Sequence, residues 1–479
     1  MKLRLTPKTL GFSPARIWNP SPSILHRTEP YDVPQRIEIS MRVTTTSAAK
    51  YSPAPYAVVV QNGTHRALIA VSARPGWHQW SYASFDAARS GVTVKLDLEG
   101  KTSPEKACRH IRVNIFPAEE NETNHELLAR GLAQLYPPPA KKKSKCPDWW
   151  RRPIYCGWGD QVGISMHLES PQGCRGERHA LAYNSQGLYT TWLERLEAAD
   201  VPIGTVIIDG GWSKGGVWTP YPNHWPDLRG FIDAQHKKGR KVLLWIATWF
   251  HEGLPEEWCI RLGDTRITAD PTHPKYREFL RRQIHRLLAP GKDCFNADGF
   301  KLDQLSHTPS RIHTRCSEQF GRTPELKKTA NQKISMYRDN QWGCELLLQL
   351  QRDIYDAAKN AKSDCLINSY TVHPYFRDTF DMVRLHDTGD THTDVYAAMK
   401  IRRDLSRAAL PEFPIDTDNW IACAYDKWLD YTCRSHTLGV PCIFYSTWFV
   451  ENWYPKQSAR EIPMKDLRKI GRIWKKYYK

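Results

Sequence analysis

The chain of 479 residues has no long hydrophobic run: its longest, at 242–250, is broken by Thr248, whereas a membrane span needs about 18 apolar residues or more. No transmembrane helix is expected on that ground. The N terminus, MKLRLTPKTLGFSPARIWNP, lacks the apolar segment of a secretion signal, so a cytoplasmic protein is expected. Low-complexity tracts are also missing, and 41% hydrophobic with 25% charged residues describes a globular chain and not a disordered or fibrous one. No C-x-x-C pair occurs among the 12 cysteines, which argues against a zinc ribbon or a redox motif. Several cysteines sit inside apolar runs, as Cys365 in CLIN and Cys442 in VPCIFY do, so buried free thiols are expected. Acidic residues are in deficit, 51 against 68 Lys plus Arg, for a net charge of +17. The only dense basic block is KKKSK at 141–145, in a Pro-rich joint, and no nucleic-acid motif appears. The charge therefore reads as a solvated basic surface, with neither nucleic acid nor membrane as partner.

What is present falls into two parts. Up to about residue 116 the chain alternates short β-rich pieces such as RIEISMRV (36–43), YAVVV (56–60), RALIAVS (66–72), VTVKLDL (92–98) and HIRVNIF (110–116) with turn signals at Asn62-Gly63 and Pro75-Gly76. That pattern predicts an N-terminal all-β sandwich over 1–135. A segment at 136–148, YPPPAKKKSKCPD, cannot pack a core and is read as a linker. From 149 to 479, apolar runs alternate with helical stretches. Strands are expected at 154–158, 204–209, 241–246, 298–303, 364–369, 381–386, weakly within 412–424, and at 440–445, with helices at 186–199, 275–288, 343–361, 394–409 and 463–476. Eight strands with crossover helices predict a (β/α)8 TIM barrel. An open doubly wound sheet is disfavoured because no Gly-rich phosphate loop follows the first strand.

In such a barrel the carboxyl ends of all strands meet on one face, where active sites are built. Here they carry Trp158 and Asp160, Asp209, Trp245, Asp303, Ser369 and Asp387. A lone Asp at a strand end commonly caps the next helix. Asp303 differs, because in Lys301-Leu302-Asp303 a cation and a carboxylate share one face of a strand, and a nearby ammonium keeps a carboxylate ionised, as a nucleophile requires. Of the 19 tryptophans, Trp158, Trp212, Trp218, Trp225, Trp245, Trp249, Trp448 and Trp453 lie at or just beyond expected strand ends. Flat rings there suit the apolar faces of sugars, while Trp192 and Trp474, on helices, read as core.

These segments resemble a known family. DWWRRP at 148–153 leading into YCGW, VIIDGGW at 206–212, KVLLWIATW at 241–249, DGFKLDQ at 298–304 and MVRLHD at 382–387 are similar, in order and over roughly 150–445, to the barrel of the α-galactosidase and raffinose-synthase (melibiase) family of glycoside hydrolases. The resemblance implies a retaining α-glycosidase or transglycosidase that uses no metal or cofactor and takes an oligosaccharide or glycoside substrate. By it, Asp303 is the nucleophile, and Asp209, Lys301, Trp158 and Arg384 line the sugar subsite. Asp160, Trp212 and Trp245 join that set by their strand-end positions. Two departures matter. The family usually has two adjacent carboxylates on the second strand, whereas Gly210 follows Asp209, so galactose specificity is not expected. The family's acid/base commonly lies four residues after the strand-six arginine, where Thr388 stands here; Asp387 is the expected acid/base, with Asp390 in reserve.

Two other readings compete. The segment HDTGDTHTD groups His386, Asp387, Asp390, His392 and Asp394, which could hold a metal-bound water in a barrel hydrolase, although no His-E-x-x-His occurs and other strands offer few His ligands beyond His251 and His307. A degenerate, carbohydrate-binding barrel without activity is the third.

Overall fold

The computed structural model describes residues 1–21, 29–41, 51–99, 101–138, 146–169, 177–309, 333–387, 394–421, 423–451 and 458–477. The N-terminal part holds two antiparallel sheets. One orders the strands Lys2–Leu5, Gly91–Asp97, Tyr82–Ala88 and Gln35–Ser40; the other orders Tyr31–Asp32, Arg16–Trp18, Ala57–Asn62, His65–Ala73 and Ile111–Pro117. The Asn62-Gly63 signal does make a hairpin: Asn62 pairs with His65, and Gly63 supplies the left-handed turn residue. Helix Asn124–Leu135 is closed at its start by a reciprocal cap between Thr123 and Glu126.

The barrel is a parallel ring of eight strands: β1 (Ile154–Cys156), β2 (Thr205–Ile208), β3 (Lys241–Ala247), β4 (Gly299–Asp303), β5 (Leu366–Ser369), β6 (Met382–Arg384), β7 (Ile415–Asp416) and β8 (Cys442–Ile443). It closes because Ile154 pairs with Cys442 and Asp416 bridges to Val440, both in parallel. Seven of the eight strands lie inside the stretches expected from sequence and β3 runs one residue past its own, while the helices Gln186–Ala198, Pro274–Leu288, Cys344–Ala361 and Met464–Tyr477 fall within one residue of theirs. β1 is shorter than expected because the chain leaves the strand at Gly157, which packs so closely on Tyr189 that any Cβ would overlap the ring. Helix α1 (Trp158–Glu169) starts at once, so Trp158 and Asp160 occupy its first turn and not a strand.

A short segment of the N-terminal chain makes one of the joins between the two parts. Ser52 N donates to Tyr370 O (3.2 Å), Thr371 Oγ1 to Ser52 O (2.8 Å), and Val372 N and His373 N both to Pro53 O (3.1 Å). Tyr51, also buried, donates to the carbonyl of Arg402 (3.2 Å) on helix α2 (Val395–Ala409). Among the described residues no helix is long and apolar enough to cross a membrane. The described cysteines are free, and most are buried.

Candidate active site

β2 and β4 deliver the deepest groups. Lys301 and Asp303 stand two apart on β4, so both point inward while Phe300 and Leu302 face the helices. The buried Lys301 ammonium lies 2.7 Å from Asp209 Oδ2, and the Cys156 thiol donates to the same oxygen (3.0 Å). Burial opposes the charge on Lys301, but Asp209, with Cys156 and Asp303, holds the ammonium protonated. Burial and then the Asp209 charge push the Cys156 thiol well up, so it remains a neutral donor. As expected from the face they share, Lys301 helps keep Asp303 ionised, while its hydrogen-bonded carboxylate is Asp209.

Asp303 is held by other groups. Oδ1 accepts from Arg384 (3.1 Å) and the backbone N–H of Gln304 (2.9 Å), and Oδ2 accepts from Trp245 Nε1 (2.9 Å). Burial opposes its ionisation, but Arg384, then Lys301 and His386, with the Trp245 hydrogen bond, hold its pKa well below the usual carboxylate range. Its side chain keeps 20% exposure, so an ionised oxygen faces the barrel mouth.

Arg384, at the end of β6, gathers three carboxylates: Asp303 (3.1 Å), Asp418 (2.8 Å) and Asp387 (3.3 Å). Asp387 is the most open of them, at 36% side-chain exposure. His386 Nε2 stands 3.9 Å from Asp303 Oδ1 and 3.9 Å from Asp387 Oδ2, so the nearest oxygens of the two carboxylates lie within twice that distance. Three strands end in left-handed residues here, Gln304, His386 and Asp418. Positive φ at non-glycine positions is costly and concentrates where function needs a fixed geometry.

The expected site residues thus divide. Asp209, Trp245, Lys301, Asp303, Arg384 and Asp387 converge on the mouth. Trp158 is half-buried and packs edge-on against Trp420 (6.0 Å), whose backbone N–H is held by Asp418 (2.8 Å). Asp160 stands apart: it is wholly buried, pushed up to about 6 by burial, and accepts from Ser446 N, Thr447 N and Tyr155 OH, fastening the loop after β8 to α1. Trp212 is also buried, donating to the carbonyl of Trp245 (2.8 Å), so it supports the site without lining it. Trp218, Trp225 and Trp249 are core residues as well, and Trp448 stacks on His167. Asp390, His392 and Trp453 lie outside the described residues. Of the alternative metal set, Asp394 caps α2 through Ala397 N; among the described residues no group of three or more His, Cys, Asp or Glu is placed to hold a metal.

Sequence reasoning missed Cys156, Tyr370, whose ring packs against the Arg384 guanidinium (5.1 Å) and the His386 ring (4.1 Å), His386 as a bridge between the carboxylates, and the pair Asp416 and Asp418. Asp416 is pushed up to about 6 by burial and by the Asp418 charge, and accepts from Asn368 (2.6 Å). The sequence signal for this pair was the polar run DTDN after the weakest strand, buried throughout in the structure.

No family model and no curated protein sequence matches the chain. Among solved structures it is similar to the cycloalternan-degrading enzyme from Trueperella pyogenes in complex with a covalent intermediate (TM-score 0.60, 13% identity, 99% of this chain and 64% of that one). It is also similar to a Kfla1895 variant in complex with cyclobis-(1→6)-α-nigerosyl (0.60, 13%, 100% and 64%). A third is TtGalA, the α-galactosidase from Thermus thermophilus, in complex with stachyose (0.53, 11%, 98% and 92%). The chain spans 64% of the length of the first two. At these identities the likeness shows the fold: a barrel with an N-terminal β part.

Proposed function

We propose that the chain is a retaining α-glycosidase or transglycosidase in which Asp303 is the nucleophile and Asp387 the acid/base. One observation carries the reading: an ionised, arginine-held carboxylate at the end of β4 faces the mouth beside a second, more open carboxylate on the same arginine. Their spacing, within twice 3.9 Å, is compatible with the ~5–5.5 Å of retaining enzymes. The names of similar structures support a sugar substrate, since they mention cycloalternan, an α-nigerosyl ring and stachyose.

In the first step Asp303 attacks the anomeric carbon while Asp387 gives its proton to the departing oxygen, leaving a glycosyl ester on Asp303. In the second, Asp387 takes a proton from water or a sugar hydroxyl, which attacks the same carbon and frees Asp303. Arg384 and Trp245 fix the nucleophile's orientation, and Asp209 with Lys301 offers an acceptor and a donor for sugar hydroxyls on the floor.

The reading includes a selectivity. A Cβ at Gly210 would lie 3.5 Å from Leu181 and 3.6 Å from the Trp245 ring, so apolar atoms border the place of the family's second carboxylate. Leu181 is 45% exposed there. A site lacking that acceptor gives up the discrimination a buried carboxylate provides, and α-galactosides are expected to be poor substrates relative to another α-glycoside. A screen of aryl α-glycosides tests the activity: turnover that Asp303→Ala lowers by about 10^3-fold or more supports it, and inactivity on every sugar contradicts it.

A further inference from the structure

Beside the carboxylate cluster, on the same barrel face, lies a cavity of about 320 Å³ that the chemistry above does not use. Its walls come from residues 249–253 after β3, residues 266–268 of the hairpin Cys259–Leu262/Thr265–Ala269, and His307, four positions past Asp303. The cavity is tied to the reaction centre in two ways. Thr248 donates through its N–H and its hydroxyl to the carbonyl of Asp303 (3.2 and 3.1 Å), so the wall segment starts from the residue that holds the nucleophile's backbone. The Phe250 ring then stands edge-on to Trp245 (6.3 Å), the indole bonded to Asp303.

The lining pairs aromatic faces with polar atoms. Phe250 and His307 are nearly parallel (28°, centroids 6.4 Å apart). Thr268 is only 4% exposed, and its hydroxyl has no hydrogen-bond partner among the described residues. A buried hydroxyl left unpaired is unfavourable and calls for an explanation. Arg266 and Glu252 add charged donors and acceptors to the lining. The volume is at the small end of ligand sites, which run from about 300 to 1,000 Å³, and suits a single ring more than a chain. Aromatic faces with a few placed polar groups match a pyranose, apolar on its faces and hydroxylated around its rim.

We infer that this cavity is a second sugar-ring subsite, which binds the ring adjoining the one that reacts with Asp303; the inference rests on the glycosidase reading. It makes an oligosaccharide, and not a simple glycoside, the substrate the site is built for.

Two measurements test it. In the first, kcat/KM is compared between the best aryl α-glycoside from the screen and a trisaccharide with the same terminal sugar, for the wild type, Phe250→Ala and Thr268→Val. The expected result is a trisaccharide-to-aryl ratio lowered at least tenfold by Phe250→Ala and about threefold or more by Thr268→Val, chiefly through KM. Thr268→Val is the informative variant, because it deletes an unpaired buried hydroxyl at nearly constant volume. It should leave Tm unchanged or raised, whereas a structural hydroxyl would lower it. Unchanged ratios in folded variants overturn the subsite and leave the glycosidase reading standing; a wild type inactive on every aryl glycoside counts against that reading instead. The second measurement, calorimetric titration of Asp303→Ala protein with the trisaccharide used in the first, is independent of turnover. Binding weakened at least fivefold by adding Phe250→Ala supports the subsite; binding equal in both proteins, or none in either, overturns it.

Discussion

Replacing Arg402 by Met is expected to disable the acid/base loop while leaving the barrel folded. Arg402 is buried on α2, and its Nη1 donates to three successive carbonyls, those of Leu385 (3.0 Å), His386 (2.6 Å) and Asp387 (2.8 Å). Three neighbouring carbonyls converge only because His386 is left-handed, at φ +64°, and their dipoles repel one another unless a cation sits at the focus. Methionine keeps the apolar length beside Met399 but has no donor. Hydrogen bonds to a charged group contribute about 1.5–3 kcal/mol each, but these share one nitrogen and the buried cation is costly to desolvate, so a net loss of about 2–4 kcal/mol is expected. That corresponds to a Tm lower by about 2–4 °C in a protein of this size. The loop should relax, and a displacement of about 1 Å at Asp387 costs about 10^2-fold in rate. Because Asp387 gives the proton, the loss should be largest for substrates with poor leaving groups and small for activated aryl glycosides. Melting curves and a leaving-group series on Arg402→Met test this. Equal losses across the series, or a lower Tm with unchanged kcat, would refute the reasoning. Tyr51→Phe, which removes the bonds to Arg402 O (3.2 Å) and Ser406 Oγ (3.2 Å), should show the same pattern more weakly and so register the N-terminal part's hold on the site.

Three further outcomes are expected. Gly210→Ala should fold with unchanged Tm, since its Cβ meets only ordinary contacts, whereas Gly211→Ala, at φ +103° with its Cβ 2.6 Å from Leu181 O, should lose about 2 kcal/mol or more; Gly210→Asp should raise relative activity on α-galactosides, and efficient wild-type turnover of melibiose would contradict the selectivity. Asp303 has a folded pKa below its unfolded value of about 3.9, so its charge stabilises the fold above that pH and the contribution fades as pH falls through the folded value. Thermal melts of Asp303→Asn should therefore lie below wild type at pH 7, and the gap should close below about pH 4; a gap constant with pH counts against the charge network. Lys301→Met strands the buried Asp209 carboxylate and should cost about 3–5 kcal/mol, while Lys301→Met with Asp209→Asn should recover most of the stability and none of the activity, as denaturant titration and an activity assay would register.

The ring of strands was legible because each buried strand carries a compact apolar run between helical patterns; VIID, KVLLWI and VPCIFY need no tertiary information to be recognised. β7 was barely visible, since it is only Ile415–Asp416 and leads into residues that are polar yet buried, paid for by bonds such as Arg384 to Asp418 that link positions 34 apart. Position at a strand end told where tryptophans lie but not where indoles point: Trp212 and Trp249 turn inward to donate to backbone carbonyls. Asp160 was misplaced for a related reason, as the early start of α1 carries it beneath the loop after β8. Period two showed that Lys301 and Asp303 share a face, and Lys301 does help keep Asp303 ionised; it could not show that Asp209, just past β2, lies nearer and takes the hydrogen bond. The cavity at Phe250 and His307 could not be read from sequence, since a hairpin at 259–269 inside a strand-to-helix connection builds one wall.

The most direct test is active-site labelling with an activated 2-fluoro-α-glycoside, followed by peptide mass spectrometry of the trapped protein. A single glycosyl adduct on Asp303 is expected, formed in wild type and absent in Asp303→Ala. An adduct on Asp387, Asp209 or any other carboxylate, or inversion of the anomeric centre with no adduct while the enzyme turns over, would contradict it.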